Sequence, residues 1–260
     1  MRMRMRPSVS GFSLVELSIV LVILGLLTGG ILTGQSLIKA AEIRQTIKDY
    51  ENFRTAVHLF KNKYFYLPGD MPNATQFWGI AGGNGQNNAC YQVAAVGTET
   101  CNGDGNGQIE GSSPWYNEEL RAWQHLANAG LINGSFTGAI GHDQYYQPNV
   151  NIPSSRIGSA TGWRYYHTLG GAGDNIWFQE TNTSYVMLLS GVTNLSLVPE
   201  DLWNIDKKID DGKPGGGVIR ALKTSGCTTV DGISPPGDTN GEYNLPNRNI
   251  ACRSYFKMPH

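Results

Sequence analysis

The sequence lacks the short motifs by which common enzyme chemistries announce themselves. It holds no H-E-x-x-H zinc pair, no G-x-S-x-G elbow, no G-x-x-x-x-G-K-[ST] phosphate loop and no C-x-x-C. The glycines of Leu169 to Asn175 (LGGAGDN) have neither the spacing nor the flanking elements of a nucleotide site and suit a hairpin turn. The histidines (His58, His125, His142, His167 and His260) are scattered. We therefore expect no enzyme. Positive charge is not in excess either: the net charge is −1, and nucleic acid is not an expected partner. Without the first eleven residues, which carry Arg2, Arg4 and Arg6 and no acid, the remainder is mildly acidic. No repeat of 20 to 50 residues is visible.

What is present is uneven. From Leu17 to Ile38 there are 22 residues without a charge, close to the roughly 20 that a helix needs to cross a bilayer. The arginines before this run orient it with residues 1–11 in the cytoplasm and the rest outside. Ala40 and Ala41 form the only small pair nearby, within what reads as continuing helix, so a cleaved secretory signal fits poorly and an uncleaved signal anchor is the plain alternative. Beyond the run, Ile43, Ile47, Tyr50, Phe53, Val57, Phe60 and Tyr64 recur at spacings of three and four, one face of an amphipathic helix that needs a sheet to cover. One helix from Phe12 to Tyr64 would be about 80 Å long, a stalk carrying a head, weakened locally at Gly25, Gly29, Gly30 and Gly34.

Glu16 is the anomaly at the head of the apolar run. An ionisable group in a membrane segment costs about 2.5–3.5 kcal/mol on insertion scales and is normally there for a partner. A basic leader ending in Gly11, then Phe12, then Ser13 to Glu16 (SLVE) and the apolar helix closely resembles the N-terminal signature of type IV prepilins and type II secretion pseudopilins. That resemblance implies cleavage between Gly11 and Phe12 by prepilin peptidase, N-methylation of Phe12, and assembly with other pilin or pseudopilin subunits on an inner-membrane platform. It also implies a single-pass bacterial inner-membrane protein with a periplasmic head, which then enters a pilus or pseudopilus. The new amine of Phe12 would be a cation at a helix N-terminus, where the dipole disfavours it, and Glu16 of a neighbouring subunit would neutralise it. The plainer readings place Glu16 shallow in the interface, or pair it with its own chain's amine. Many major pilins carry a proline near the end of the segment, and Thr33 and its neighbours offer none, which favours a minor subunit.

The expected organisation is a leader (1–11), a transmembrane helix (12–38), its amphipathic continuation (39–64) and an α+β head (65–260) built on a small antiparallel sheet. Glycine at 33 residues and proline at 12 make that head rich in turns rather than a helix bundle. Pro68 and Gly69 predict a turn, followed by a short helix capped by Asn73. Ser113 as cap, Pro114, the stripe of Leu120, Trp123, Leu126 and Ala127, and Gly130 as terminator predict the next helix. Runs such as WRYYH, NIWFQ, SYVMLL and GVIRAL predict strands. A last helix over Pro199 to Asp211 would turn Leu202, Ile205 and Ile209 inward and close at Gly212.

Four cysteines suit an exported head and allow three pairings. The sequence-local pairs Cys90–Cys101 and Cys227–Cys252 close the cheapest loops, and pilins often have a comparable C-terminal clamp; four free buried thiols are the alternative. Asn102, Asp104 and Asn106 at alternate positions, with the carbonyl of Gln108, copy the oxygen-donor half of a calcium loop, although Ser113 stands where a bidentate glutamate belongs. A polar turn stabilised by Asn and Asp side chains explains the same residues. Asp206, Asp210 and Asp211 read as a solvated helix face beside Lys207 and Lys208, although major pseudopilins hold calcium in their C-terminal loops. Trp163, Tyr165 and His167 share a strand face, either core or a platform for sugars or secreted proteins. The function expected is thus a structural filament subunit, with a tip adhesin or substrate-binding module as the alternative.

Overall fold

The computed structural model describes residues 11, 13–82, 93–111, 118–140, 145–158, 161–168, 183–190, 195–221, 226–229 and 241–259. Its elements are α1 (Leu14–Tyr64), α2 (Thr75–Trp78), α3 (Glu118–Asn128), β1 (Thr161–Thr168), β2 (Thr183–Ser190), α4 (Pro199–Ile209), β3 (Ile219–Ala221) and β4 (Ser254–Lys257). The class is α+β. Contacts divide the chain into two units, Met1–Glu42 and Ile43–His260, and α1 contributes to both.

In the first unit α1 is apolar and exposed: Leu14, Leu21, Leu26, Leu32 and Ile38 all face outward. It is long and apolar enough to cross a membrane. Its hydroxyls are satisfied within the helix. Thr28 Oγ1 donates to the carbonyl of Leu24 (2.8 Å), Thr33 Oγ1 to that of Gly29 (2.9 Å), and Ser36 Oγ to that of Thr33 (2.8 Å). Side chains that bond back to their own helix remove the need for water, which a bilayer interior does not supply. Gly25, Gly29, Gly30 and Gly34 do not interrupt the helix, which runs unbroken through all four.

In the second unit the amphipathic face meets its cover. Ile43, Tyr50, Phe53, Val57 and Phe60 are buried, while Ile47 and Tyr64 are partly buried against the core. The Phe53 ring packs edge-on against Trp123 (4.8 Å between centroids) and Trp163 (5.6 Å), and Tyr50 lies 5.3 Å from Phe256. The Tyr50 hydroxyl also donates to the carbonyl of Lys257 at 2.6 Å, so helix and sheet are joined by a directional bond as well as by area.

The sheet is antiparallel throughout, in the order β1-β2-β4-β3. β1 and β2 pair along their whole length, from Thr161 opposite Ser190 to Thr168 opposite Thr183. β2 is buried from Thr183 to Leu189 on both faces, which is why its sequence reads as a continuous apolar run rather than an alternation. The C-terminal strand β4 inserts between β2 and β3. The sequence does not single it out, since only Tyr255 and Phe256 mark its four residues. The run NIWFQ lies outside the described residues.

Three local readings need correction. Asn73 does not cap α2: the cap position is Ala74, with no side-chain bond, and the free N–H of Thr75 is taken by Asn102 Oδ1 (2.9 Å) from another part of the chain. α4 ends at Ile209, two residues before Asp211, because the Asp206 carboxylate accepts the N–H of Gly212 (3.1 Å), whose φ is +76°. Asp206 is not on a solvated face; it has no exposed surface. The stop of α3 is as expected: Gly130 has φ +71°, and the N–H of Leu131 returns to the carbonyl of Leu126 (3.0 Å). Ser113 and Pro114 lie outside the described residues.

Candidate functional site

At the start of α1, Ser13 and Glu16 form a reciprocal cap. Glu16 Oε2 accepts the N–H of Ser13 (2.9 Å), and Ser13 Oγ accepts the N–H of Val15 (3.3 Å). This is a capping box, the S-x-x-E pattern that satisfies otherwise unpaired amides at a helix N-terminus. The pattern stands in the sequence and supplies a local reason for an acid at this position. The carboxylate is held against the backbone immediately after Phe12. Gly11 is exposed; Phe12 itself lies outside the described residues.

A second constellation is built by tertiary folding. Gly69, with φ +91°, lets the turn at 68–70 approach α3 so closely that a Cβ there would stand 2.3 Å from the carbonyl oxygen of Glu118. Gly103 is equally constrained, since its Cβ would lie 2.4 Å from the Asp70 backbone. These two glycines bring the turn, the loop at 101–111 and the first turn of α3 together. Asp70, 1 % exposed, accepts the N–H of Gly105 on Oδ1 (2.7 Å) and that of Gly107 on Oδ2 (3.0 Å). Glu118, 2 % exposed, accepts the N–H of Asp104 (3.1 Å) and that of Glu110 (3.0 Å).

One oxygen each of Asp70, Asp104 and Glu118 lies within 4.8 Å of the others. Burial, then the neighbouring Asp104 carboxylate, pushes Asp70 up to about 7 against two backbone hydrogen bonds that favour its charged form. Glu118 is raised too, by burial first and then by contact with the Glu110 carboxyl. His125 closes the same region from below. Its Nδ1 accepts the N–H of Gly69 (3.0 Å) and Nε2 faces Thr100 Oγ1 (3.0 Å) and the carbonyl of Cys101 (3.2 Å), so Nε2 carries the proton. Burial, aided by Arg121, lowers it to about 3 and keeps it neutral.

Of the calcium-loop residues read from the sequence, Asp104 stands in this group of carboxylates, and Asn106 Nδ2 donates to Asp104 Oδ2 (3.0 Å). Asn102 caps α2, and Asn106 Oδ1 accepts the N–H of Gln108 (2.7 Å), an Asx turn. Asp70 and Glu118 were not anticipated. Neither has a motif of its own, and they stand on opposite sides of the loop in sequence.

Cys227 and Cys252 are joined by a disulfide that closes 25 residues of separation. Cys101 is buried and disulfide-bonded, and Cys90 lies outside the described residues. Trp163, Tyr165 and His167 are buried, so this strand face is core and not a platform. His167 Nδ1 lies 3.0 Å from Ser184 Oγ inside that core. Asp206 accepts the Tyr243 hydroxyl (2.6 Å), and Asp210 accepts the N–H groups of Val218 and Ile219.

No curated protein and no solved structure matches the chain. Residues 6–32 match the family model described as the prokaryotic N-terminal methylation motif. The chain thus carries the type IV pilin and pseudopilin signature, whose residues 14–32 lie within the apolar helix α1, and reads as a pilin- or pseudopilin-like precursor.

Proposed function

We propose that this protein is a structural subunit, a minor one, of a type IV pilus or a type II secretion pseudopilus. Prepilin peptidase cuts between Gly11 and Phe12, Phe12 is methylated, and the mature helix assembles beside those of other subunits on the inner-membrane platform, with the head on the periplasmic side. The observation that carries this reading is the methylation motif over residues 6–32 leading into an exposed apolar helix. Among the described residues the apolar side chains of this stretch stay exposed, and a filament would cover them: heterologous contacts that do not close make a fibre.

Glu16 holds the N–H of Ser13 in the uncut chain. After cleavage the new amine of Phe12 adjoins that position, and a carboxylate of the next subunit in register neutralises it. The test is intact-mass analysis of the membrane-extracted protein from cells with and without prepilin peptidase. The expected product begins at methylated Phe12 only when the peptidase is present; a chain that keeps residues 1–11 in both strains overturns the reading. Glu16→Gln should insert into the membrane and fail to polymerise. The tip-adhesin alternative loses its proposed platform, because Trp163, Tyr165 and His167 are core. One copy per filament would revive it, and many copies support a repeating subunit.

A further inference from the structure

The head holds a cavity of about 540 Å³ that the signature at the N-terminus does not explain. Small-molecule sites run from roughly 300 to 1,000 Å³. Three segments wall it: the side of α1 that carries Asp49 and Asn52, the loop after α3 with Asn133 and Ser135, and the turn before β1 with Asn149. Phe53 and Phe136, both nearly buried, supply apolar lining.

The walls are fixed without an occupant. Thr137 donates its N–H to the carbonyl of Val150 (2.9 Å), which ties one loop to the other. Asn151, with no exposed surface, accepts the N–H of Gln147 (2.6 Å) and donates to the carbonyls of Ala139 (3.0 Å) and Tyr145 (2.8 Å). The turn pinned in this way carries Asn149 at φ +64°, a backbone state that asparagine tolerates and most residues avoid. On the facing loop Gly134, at φ +108°, lets the Phe136 ring pack 3.1 Å from where a Cβ would stand. A cavity already in shape loses little binding energy to the ordering of its own loops.

The lining narrows the ligand. It contains no lysine or arginine, so an anionic group finds no counter-charge there. None of its residues belongs to β1–β4, so an extended peptide finds no strand edge to join. Its polar groups are three side-chain amides, three hydroxyls and the carboxylate of Asp49, whose Oδ1 accepts Gln45 Nε2 (2.7 Å). Among the described residues the side chains of Asn52, Asn133, Ser135 and Asn149 have no partner within the protein. Amides and hydroxyls both donate and accept, and so do the hydroxyls of a sugar.

We propose that this cavity binds a neutral saccharide, with Asp49, Asn52 and Asn149 hydrogen-bonded to its hydroxyls. The site is separate from the strand face of Trp163, Tyr165 and His167, which is core, and it does not depend on how the N-terminus is cut.

The experiment uses the full-length protein in a detergent without a sugar head group, titrated with maltose, lactose, cellobiose and diacetylchitobiose. Binding is read by saturation-transfer NMR and calorimetry, and its place by hydrogen exchange of the segments 130–136 and 147–154. At least one disaccharide should bind with a dissociation constant below about 10 mM and slow exchange in both segments. Asn52→Ala and Asn149→Gly change exposed side chains, and glycine accepts the positive φ, so both variants should melt like the wild type while each weakens binding about tenfold. Absence of saturable binding by all four sugars overturns the proposal. So does binding of unchanged strength in both variants, which would place the sugar elsewhere. Protection of the two segments by a neutral peptide such as tetra-alanine, and by none of the sugars, overturns it as well.

Discussion

The two halves of α1 share one secondary structure and have opposite surroundings. From Leu14 to Ile38 nearly every large apolar side chain is exposed, whereas from Ile43 to Phe60 the apolar positions of one face are buried under the sheet. Helix formation is therefore not what distinguishes them. The difference is periodicity. The first half is apolar all round and suits a solvent that is itself apolar; the second is apolar on one stripe and suits a protein core.

The sharpest way to break this contrast is to cut one large apolar side chain from each half. Phe53→Ala removes a ring held between Trp123 and Trp163 and should lower the stability of the head by roughly 3–5 kcal/mol in denaturant or thermal melts. Leu21→Ala, at a site 62 % exposed, should leave the same melt within about 0.5 kcal/mol. Equal losses would mean that the first half packs on protein in the isolated chain. A somewhat smaller effect is expected from replacing Cys227 and Cys252 by serine. The disulfide pins the segment before β4 to the loop after β3, and its loss should cost roughly 2–5 kcal/mol, read as a fall in melting temperature of the head with helical content of the first half unchanged.

The most gradual expected effect is a pH dependence confined to the head. Burial first, with Asp211 and Asp210 adding to it, pushes Asp206 up to about 7 despite the bonds from Tyr243 and Gly212. An acid whose folded value lies above its unfolded one binds its proton more tightly when folded. Its contribution is full below about pH 4 and is lost as pH rises towards 7, at up to about 1.4 kcal/mol per pH unit. Asp206→Asn keeps an acceptor for the Tyr243 hydroxyl and should flatten this part of the melting profile between pH 4 and 7. An unchanged slope would show that Asp206 stays charged in the fold.

Much of the helical framework is legible in the chain because its signals are local. Hydrophobic spacing of three and four marks α1 to Tyr64, Gly130 stops α3, and Pro199 starts α4. Ser13 and Glu16 also lie within one turn, so their cap is written in four consecutive residues. The carboxylate cluster is a different case. Asp70 and Glu118 look like ordinary loop and helix-start acids until the close approach of Gly69 to Glu118 brings them together. Asp206, between Ile205 and Lys207, reads as solvated by helical neighbourhood, and only its partner Tyr243, 37 residues away, explains its burial.

The amino-acid sequence by itself determined the apolar span, its capped start, its methylation signature and the stripe that faces the core, because each depends on residues a turn or two apart. Tertiary structure alone decided the insertion of β4 between β2 and β3, the burial of Asp206, and the meeting of Asp70, Asp104 and Glu118. These depend on the closing of long loops, and the free energy of such closures belongs to the whole packed head rather than to any stretch of it.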